Sequence, residues 1–286
     1  MKTVKLTLEQ DLAVPLEVEA LNPLRLADMS IDEIKSCEIW YGKAKKQTGE
    51  IFKVEVTGGP PDLPADLNLP HEDICLELYG NLSRVKRIGQ GMGGGLLIVH
   101  GDAGVHLGSL MTGGIIVVEG SSGDWTGAQM SGGQIRVQGD AGNFTGSAYW
   151  GNKSGMTGGM IIIGGSAADM TGRLMRRGLI IVMGDAGDFT AGNMIAGTVI
   201  VGGSAGRRTG AEMKRGTVLL TREPDMMPTF RKTSLYEPVF VNIFVKYLKE
   251  RGVTVPGLHE NITCRRFAGD QAVQGKGEIM ICQSQN

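Results

Sequence analysis

The chain has 286 residues with 45 glycines but only 7 Phe, 5 Tyr and 3 Trp, so few large rings are available to fill a core. Hydrophobic residues at 41% suffice to bury one, which excludes wholesale disorder, and the glycines follow no three-residue period, which excludes collagen. With 29 Lys+Arg against 30 Asp+Glu the net charge is −1, so no global field draws in nucleic acid or an anionic membrane and electrostatic recognition must be local.

Met1-Lys2-Thr3-Val4-Lys5-Leu6-Thr7 lacks the apolar centre of a secretory signal, and no apolar run reaches the ~18 residues needed to span a bilayer, so the chain reads as cytoplasmic. Residues 1–73 form a first flank: Leu16–Ala20 and Ile51–Val56 read as strands, and Ser30-Ile31-Asp32-Glu33-Ile34-Lys35 as a capped helical turn. The breaker cluster Gly58-Gly59-Pro60-Pro61-Asp62 suits a boundary. Cys37, Cys75, Cys264 and Cys282 lie far apart without a CxxC pair and read as buried free thiols rather than zinc or iron–sulfur ligands.

Residues 74–222 carry a repeat. Gly95, Gly114, Gly133, Gly159, Gly178, Gly197 and Gly216 each open a unit, 19 residues apart except for one spacing of 26 that holds the insertion Tyr149-Trp150-Gly151-Asn152-Lys153. Two and four residues after each glycine the chain is apolar without exception, from Leu97/Val99 to Val218/Leu220, which is the period of a strand with one face inward. A glycine closes every strand but the last, and Ile74–Gly80 reads as a degenerate first unit. Met111, Met130, Met156, Met175, Met194 and Met213 recur at one position and read as core packing rather than soft-metal ligands. Helical solenoids and propeller blades need longer units, so the expected fold is an all-β, single-stranded parallel β-helix of about seven to eight coils, with small α+β flanking segments. The last flank, 223–286, is expected to hold a helix over Glu237–Arg251 and a strand at Ile279–Cys282, and both flanks to cap open strand edges.

The chemistry that the sequence offers is thin. Gly89-Gln90-Gly91-Met92-Gly93-Gly94 matches GxGxxG but runs on into the strand Leu96-Leu97-Ile98-Val99, where a dinucleotide site needs a helix. Asp102, Asp140 and Asp185 alternate with Ser121, Ser166 and Ser204 after the closing glycines and read as turn residues. Of His71, His100, His106 and His259, only His100 and His106 are close, and neither has an acid or nucleophile beside it in sequence, so no catalytic, cofactor-binding or metal residue is assigned. Odd strand positions should face outward, as Gln134, Arg136 and Gln138 do in the third unit. In the next three the same face carries Ile162, Ile181 and Ile200, a row that needs covering, either by the segment Val239–Val245 or by a partner subunit. That row, with Tyr149 and Trp150, is the candidate subunit interface. Arg176, Arg177, Lys214 and Arg215 at one corner, with Arg207 and Arg208 in the neighbouring turn, form a candidate basic edge for an acidic partner or polyanion.

The repeats with their Asp-Ala-Gly turns, preceded by Ser83-Arg84-Val85-Lys86-Arg87-Ile88-Gly89-Gln90-Gly91-Met92, resemble the C subunit of formylmethanofuran dehydrogenase, whose repeat domain is shared with the C-terminal part of the glutamate synthase large subunit. The likeness extends to Glu38-Ile39-Trp40-Tyr41-Gly42 and Gly146-Ser147-Ala148-Tyr149-Trp150. It implies a right-handed β-helix and a noncatalytic scaffold in a hetero-oligomeric cytoplasmic oxidoreductase complex that reduces CO2 and couples it to methanofuran, the first step of methanogenesis from CO2. It also implies that the molybdenum or tungsten pterin, the iron–sulfur clusters and a binuclear metal site belong to partner subunits, with no cofactor, nucleic acid or membrane at this chain. The alternatives are the equivalent C subunit of a bacterial formyltransferase/hydrolase complex in one-carbon metabolism and, remotely, a stand-alone carbohydrate-active β-helix enzyme, against which the shortage of aromatics counts.

Overall fold

The structure is a computed structural model that describes residues 1–59 and 73–283; His71 and the Pro60-Pro61-Asp62 part of the breaker cluster lie outside the described residues. In chain order the first flank holds β1 (Lys2–Leu8), β2 (Leu16–Glu17), α1 (Pro23–Leu26), α2 (Ile31–Ser36), β3 (Glu38–Tyr41), β4 (Ala44–Gln47), α3 (Thr48–Ile51) and β5 (Phe52–Gly58). The middle holds β6 (Ile74–Tyr79), β7 (Val85–Lys86), β8 (Gly93–His100), β9 (Gly113–Val118), β10 (Gln134–Val137), β11 (Met160–Ile163), β12 (Leu179–Val182), β13 (Thr198–Val201) and β14 (Thr217–Leu220). Then follow β15 (Arg231–Tyr236), α4 (Val239–Lys249), β16 (Thr263–Gly269) and β17 (Gly277–Gln283).

The seven glycine-opened strands, β8 to β14, lie parallel and in register, so that Ile161, Ile180, Val199 and Val218 stand in one line across the sheet. The apolar positions read from the sequence face one buried core together with Met111, Met130, Met156, Met175, Met194 and Met213, none of which is exposed. Side chains in the turns fasten each repeat to the next. Asp102 Oδ1 accepts from the Ser121 N–H (2.7 Å), Ser121 Oγ from Asp140 (3.1 Å) and Asp140 Oδ1 from Ser166 (2.7 Å), and the ladder continues through Asp185 to Ser204. A second ladder runs from Asp124 through Asn143, Asp169 and Asp188 to Arg207. Each side-chain oxygen takes up a backbone donor of the following turn, which is the turn role expected of these residues.

The flanks extend the sheet at both of its edges. The fold class expected from the sequence, an all-β single-stranded right-handed parallel β-helix with small α+β flanking segments at both ends, is corrected by the sheet topology. Among the described residues the architecture is one large, mostly parallel 13-stranded sheet in the order β15-β16-β17-β14-β13-β12-β11-β10-β9-β8-β6-β1-β5, a second sheet β4-β3-β2-β7, and four α-helices. Seven of the thirteen strands come from the repeats and six from the segments around them. The physical reason is edge pairing: an end strand exposes a row of N–H and C=O groups, and further strands satisfy them. Thus β1 pairs parallel to β6 and antiparallel to β5, while β17 pairs parallel to β14 and antiparallel to β16. In the first flank, Ser30 caps α2 through a reciprocal capping box with Glu33, as its sequence predicts.

Two further expectations are corrected. Cys264 and Cys282 are not free thiols: they face one another in the β16–β17 register and form a disulfide, whereas Cys37 and Cys75 are free and buried. Burial and the Glu77 carboxylate push the Cys75 thiol up to about 12, so it stays protonated and unreactive. Arg136 does not project into solvent either. It is 8% exposed, and its guanidinium donates to the Arg251 carbonyl (2.8 Å) just beyond α4.

Candidate subunit interface

The candidate interface residues fall into separate places. Ile162, Ile181 and Ile200 are buried: with Leu219 and Met280 they pack under Val241, Val245 and Leu248 of α4 and under Val253, Val255 and Leu258 of the loop after it. Of the two coverings that the sequence allows, the structure shows the one within the chain. The row is therefore corrected from a docking face to interior. The reason is helical geometry, because Val241, Val245 and Leu248 at i, i+4 and i+7 make a stripe that matches the Ile row. On the far side of α4, Val239 and Ile243 are 73% and 65% exposed, and Tyr247 continues the line. Phe244 and Tyr247 also border a groove of about 570 Å³ floored by Gly114, Gly133, Gly159 and Gly178.

Tyr149 and Trp150 join a cluster that the sequence reading missed. Arg87, His106, Trp125, Phe144, Met170, Phe189 and Arg208 hold the same turn position in successive repeats, each with left-handed φ between 58° and 67°. Such a φ costs a non-glycine residue roughly 1–2 kcal/mol, so hydrogen bonds must hold it. They do: the N–H of His106 donates to Asp124 O (2.8 Å), that of Trp125 to Asn143 O (2.8 Å) and that of Phe144 to Asp169 O (2.9 Å). The column brings rings together. Trp125 stacks on Phe144 at 4.2 Å, His106 lies parallel to Trp125 at 6.4 Å, and the insertion lays Tyr149 against both, with centroids 5.5 Å from His106 and 4.9 Å from Trp125.

The Tyr149 hydroxyl lies 2.8 Å from His106 Nδ1, and Asn152 donates to Gln129 (2.8 Å), which fixes the insertion on the repeat wall. Burial first, and then the cations Arg87 and Lys86, lower the His106 pKa below 6.5, and burial raises that of Tyr149. Both effects favour a neutral imidazole beside a protonated phenol, an arrangement suited to a hydrogen bond rather than proton transfer. Trp150, 64% exposed, sits edge-on to Trp125 and Phe144, with the Arg173 guanidinium 4.9 Å from its ring. A signal was present in the sequence, since His106, Trp125 and Phe144 are each 19 residues apart; it lies in the turns rather than in the strand pattern.

His100 is placed apart from His106, stacked on Tyr79 at 4.1 Å and 3.1 Å from Glu119. The GxGxxG segment leads into β8, with no helix for a pyrophosphate. Among the described residues no group of three or more His, Cys, Asp or Glu could hold a metal ion, and no helix is long and apolar enough to cross a membrane. The basic edge divides in two. Arg176, Arg177, Lys214 and Arg215 line one concavity, while Arg207 binds Asp188 (2.8 Å) and Arg208 lies over the Phe189 ring (5.2 Å) in another.

No sequence-family model matches the chain. Among curated proteins it is 38% identical over 100 residues to the C subunit of the molybdenum-containing formylmethanofuran dehydrogenase 1 of Methanothermobacter wolfeii, covering 35% of this chain and 22% of that one. It is 37% identical over 109 residues to the C subunit of the tungsten-containing formylmethanofuran dehydrogenase 2 of the same organism, covering 38% and 37%. A chain in the crystal structure of the formyltransferase/hydrolase complex FhcABCD from Methylorubrum extorquens, solved with methylofuran, matches end to end: 32% identity, 97% of this chain, 98% of that chain and a TM-score of 0.84. The chain belongs to the same family as that chain of the formyltransferase/hydrolase complex. Membership spans the whole fold, including β15 to β17 and α4, whereas the match to the dehydrogenase subunits covers a segment of each.

Proposed function

We propose that this chain is a noncatalytic scaffold subunit of a formylmethanofuran dehydrogenase complex, which reduces CO2 and couples it to methanofuran to give formylmethanofuran. The observation that carries the proposal is the end-to-end likeness to a chain of a larger assembly together with relatives named as subunits of a dehydrogenase. The polar groups of this chain support it. The turn Asp, Asn and Ser side chains are engaged in fastening repeat to repeat, which makes a stiff frame. Trp150 with Arg173 above it is the docking feature that this frame presents, because an exposed, rigidly seated Trp beside Arg is the composition of a binding hot spot. The molybdenum or tungsten pterin, iron–sulfur clusters and binuclear metal site belong, in this reading, to partner subunits, and the complex is cytoplasmic.

A second reading rests on a specific observation. The likeness that runs from end to end is to a formyltransferase/hydrolase complex, which favours the same scaffold role there, in one-carbon metabolism without a redox centre. Purification of the endogenous complex through a tag on this chain, followed by metal and pterin analysis, separates the two. Stoichiometric molybdenum or tungsten with pterin supports the dehydrogenase; a complex that carries formyltransferase activity and no pterin assigns the chain to the hydrolase.

A further inference from the structure

Register places Arg177, Ala196 and Arg215 at equivalent points of three successive repeats, with Arg176, Ile195 and Lys214 one residue before them. The corresponding positions of earlier repeats are uncharged, Thr112-Gly113, Ser131-Gly132 and Thr157-Gly158, so this corner turns basic only over the last repeats. Lys276, ahead of β17, adds a cation at the next level: its N–H donates to the Lys214 carbonyl (2.7 Å). Arg176, Arg177, Lys214 and Arg215 are exposed and line a concavity of about 320 Å³ whose remaining walls are Ile195 and Ala196. Among the described residues, none of these four side chains has a carboxylate within ion-pair distance, although the chain is balanced at net −1 and Arg207, Arg87 and Arg266 all find acidic partners. Like charges are thus gathered on one concave wall and left uncompensated.

We infer that this corner docks an extended acidic segment of a partner polypeptide, its carboxylates seated on the two cationic levels and its intervening residues over Ile195 and Ala196. The levels are two strands apart, roughly 10 Å. That spacing equals about one three-residue turn of an extended polyproline II chain, which puts carboxylates at i and i+3 on one face and lets them reach both. Arginine forks favour carboxylates in this geometry, and the apolar floor favours a peptide over a small hydrated anion. The inference deepens the subunit reading and rests on it for the partner being a protein.

The test is fluorescence anisotropy on the full chain, with a labelled nonapeptide carrying glutamate at every third position. Binding should weaken roughly tenfold or more between about 50 and 300 mM salt, and by a similar factor in Arg177→Gln/Arg215→Gln. The glutamine analogue of the peptide should not bind. Unchanged melting of the variant shows that it is folded, since both side chains are exposed. No binding, undiminished binding by the variant, or tighter binding of an oligothymidylate than of the peptide overturns the inference. The two readings fail separately: peptide binding by a chain that purifies alone sinks the subunit reading, and a complex that assembles while the peptide fails to bind sinks the docking site.

Discussion

Replacing Ile181 by Ala tests the cover that α4 lays over the sheet. Ile181 is fully buried among Ile162, Ile200, Val241 and Val245, and the substitution removes three carbon atoms. Transfer of those groups is worth about 2.5 kcal/mol at ~0.8 kcal/mol each. A cavity of roughly 50 Å³ left after partial collapse adds about 1 kcal/mol at ~24 cal/mol per Å³. The expected loss is therefore about 3–4 kcal/mol, read as a lower midpoint in urea unfolding with an unchanged slope. Ile243→Ala, on the exposed side of the same helix, should change stability by less than about 0.5 kcal/mol. A loss at Ile181 below about 1 kcal/mol would refute the reasoning, because it would mean that α4 does not seat on the Ile row and leaves it free for a partner.

Other consequences of the fold are as direct. In Gly132→Ala a Cβ would stand 2.2 Å from the Thr112 carbonyl oxygen of the preceding repeat, whereas in Gly91→Ala, at φ +65°, it would meet nothing within 4 Å. The first should cost about 2–4 kcal/mol by prising repeats apart, and the second only the ~1 kcal/mol of a left-handed alanine; equal costs in a thermal melt would contradict the stacking. Trp150→Ala should leave the stability of the isolated chain within about 1 kcal/mol of wild type yet lower recovery of the complex roughly tenfold; normal assembly would remove Trp150 from the interface. For His106 the folded pKa lies below the unfolded value near 6.5, so the unfolded chain binds more protons in between and stability falls as pH drops from about 6.5 through the folded pKa. His106→Asn, whose side chain tolerates the left-handed turn, should abolish this acid loss in a melt series, and an unaltered pH slope would show that the imidazole is not held neutral.

How far the sequence could be read depends on the range of each interaction. Strand positions such as Leu97/Val99 and Val218/Leu220 were legible because period-two alternation and the 19-residue repeat are local. The Ser30–Glu33 cap and α4 were legible for the same reason. Pairings across long separations were not: β1 with β6, β14 with β17, Arg136 with Arg251, and Cys264 with Cys282 each depend on a return of the chain that no periodicity records. They join the flanks to the sheet and turn the expected free thiols Cys264 and Cys282 into a disulfide. The aromatic column was half hidden, since its spacing is regular from His106 to Phe144 but the insertion that completes it with Tyr149 and Trp150 interrupts the repeat.

The native mass of the endogenous protein tests the scaffold role. Native mass spectrometry of the chain tagged at its chromosomal locus should find it in a hetero-oligomer with catalytic subunits, far heavier than its own 30.4 kDa. A chain found alone at that mass, and turning over a substrate by itself, would contradict the scaffold role.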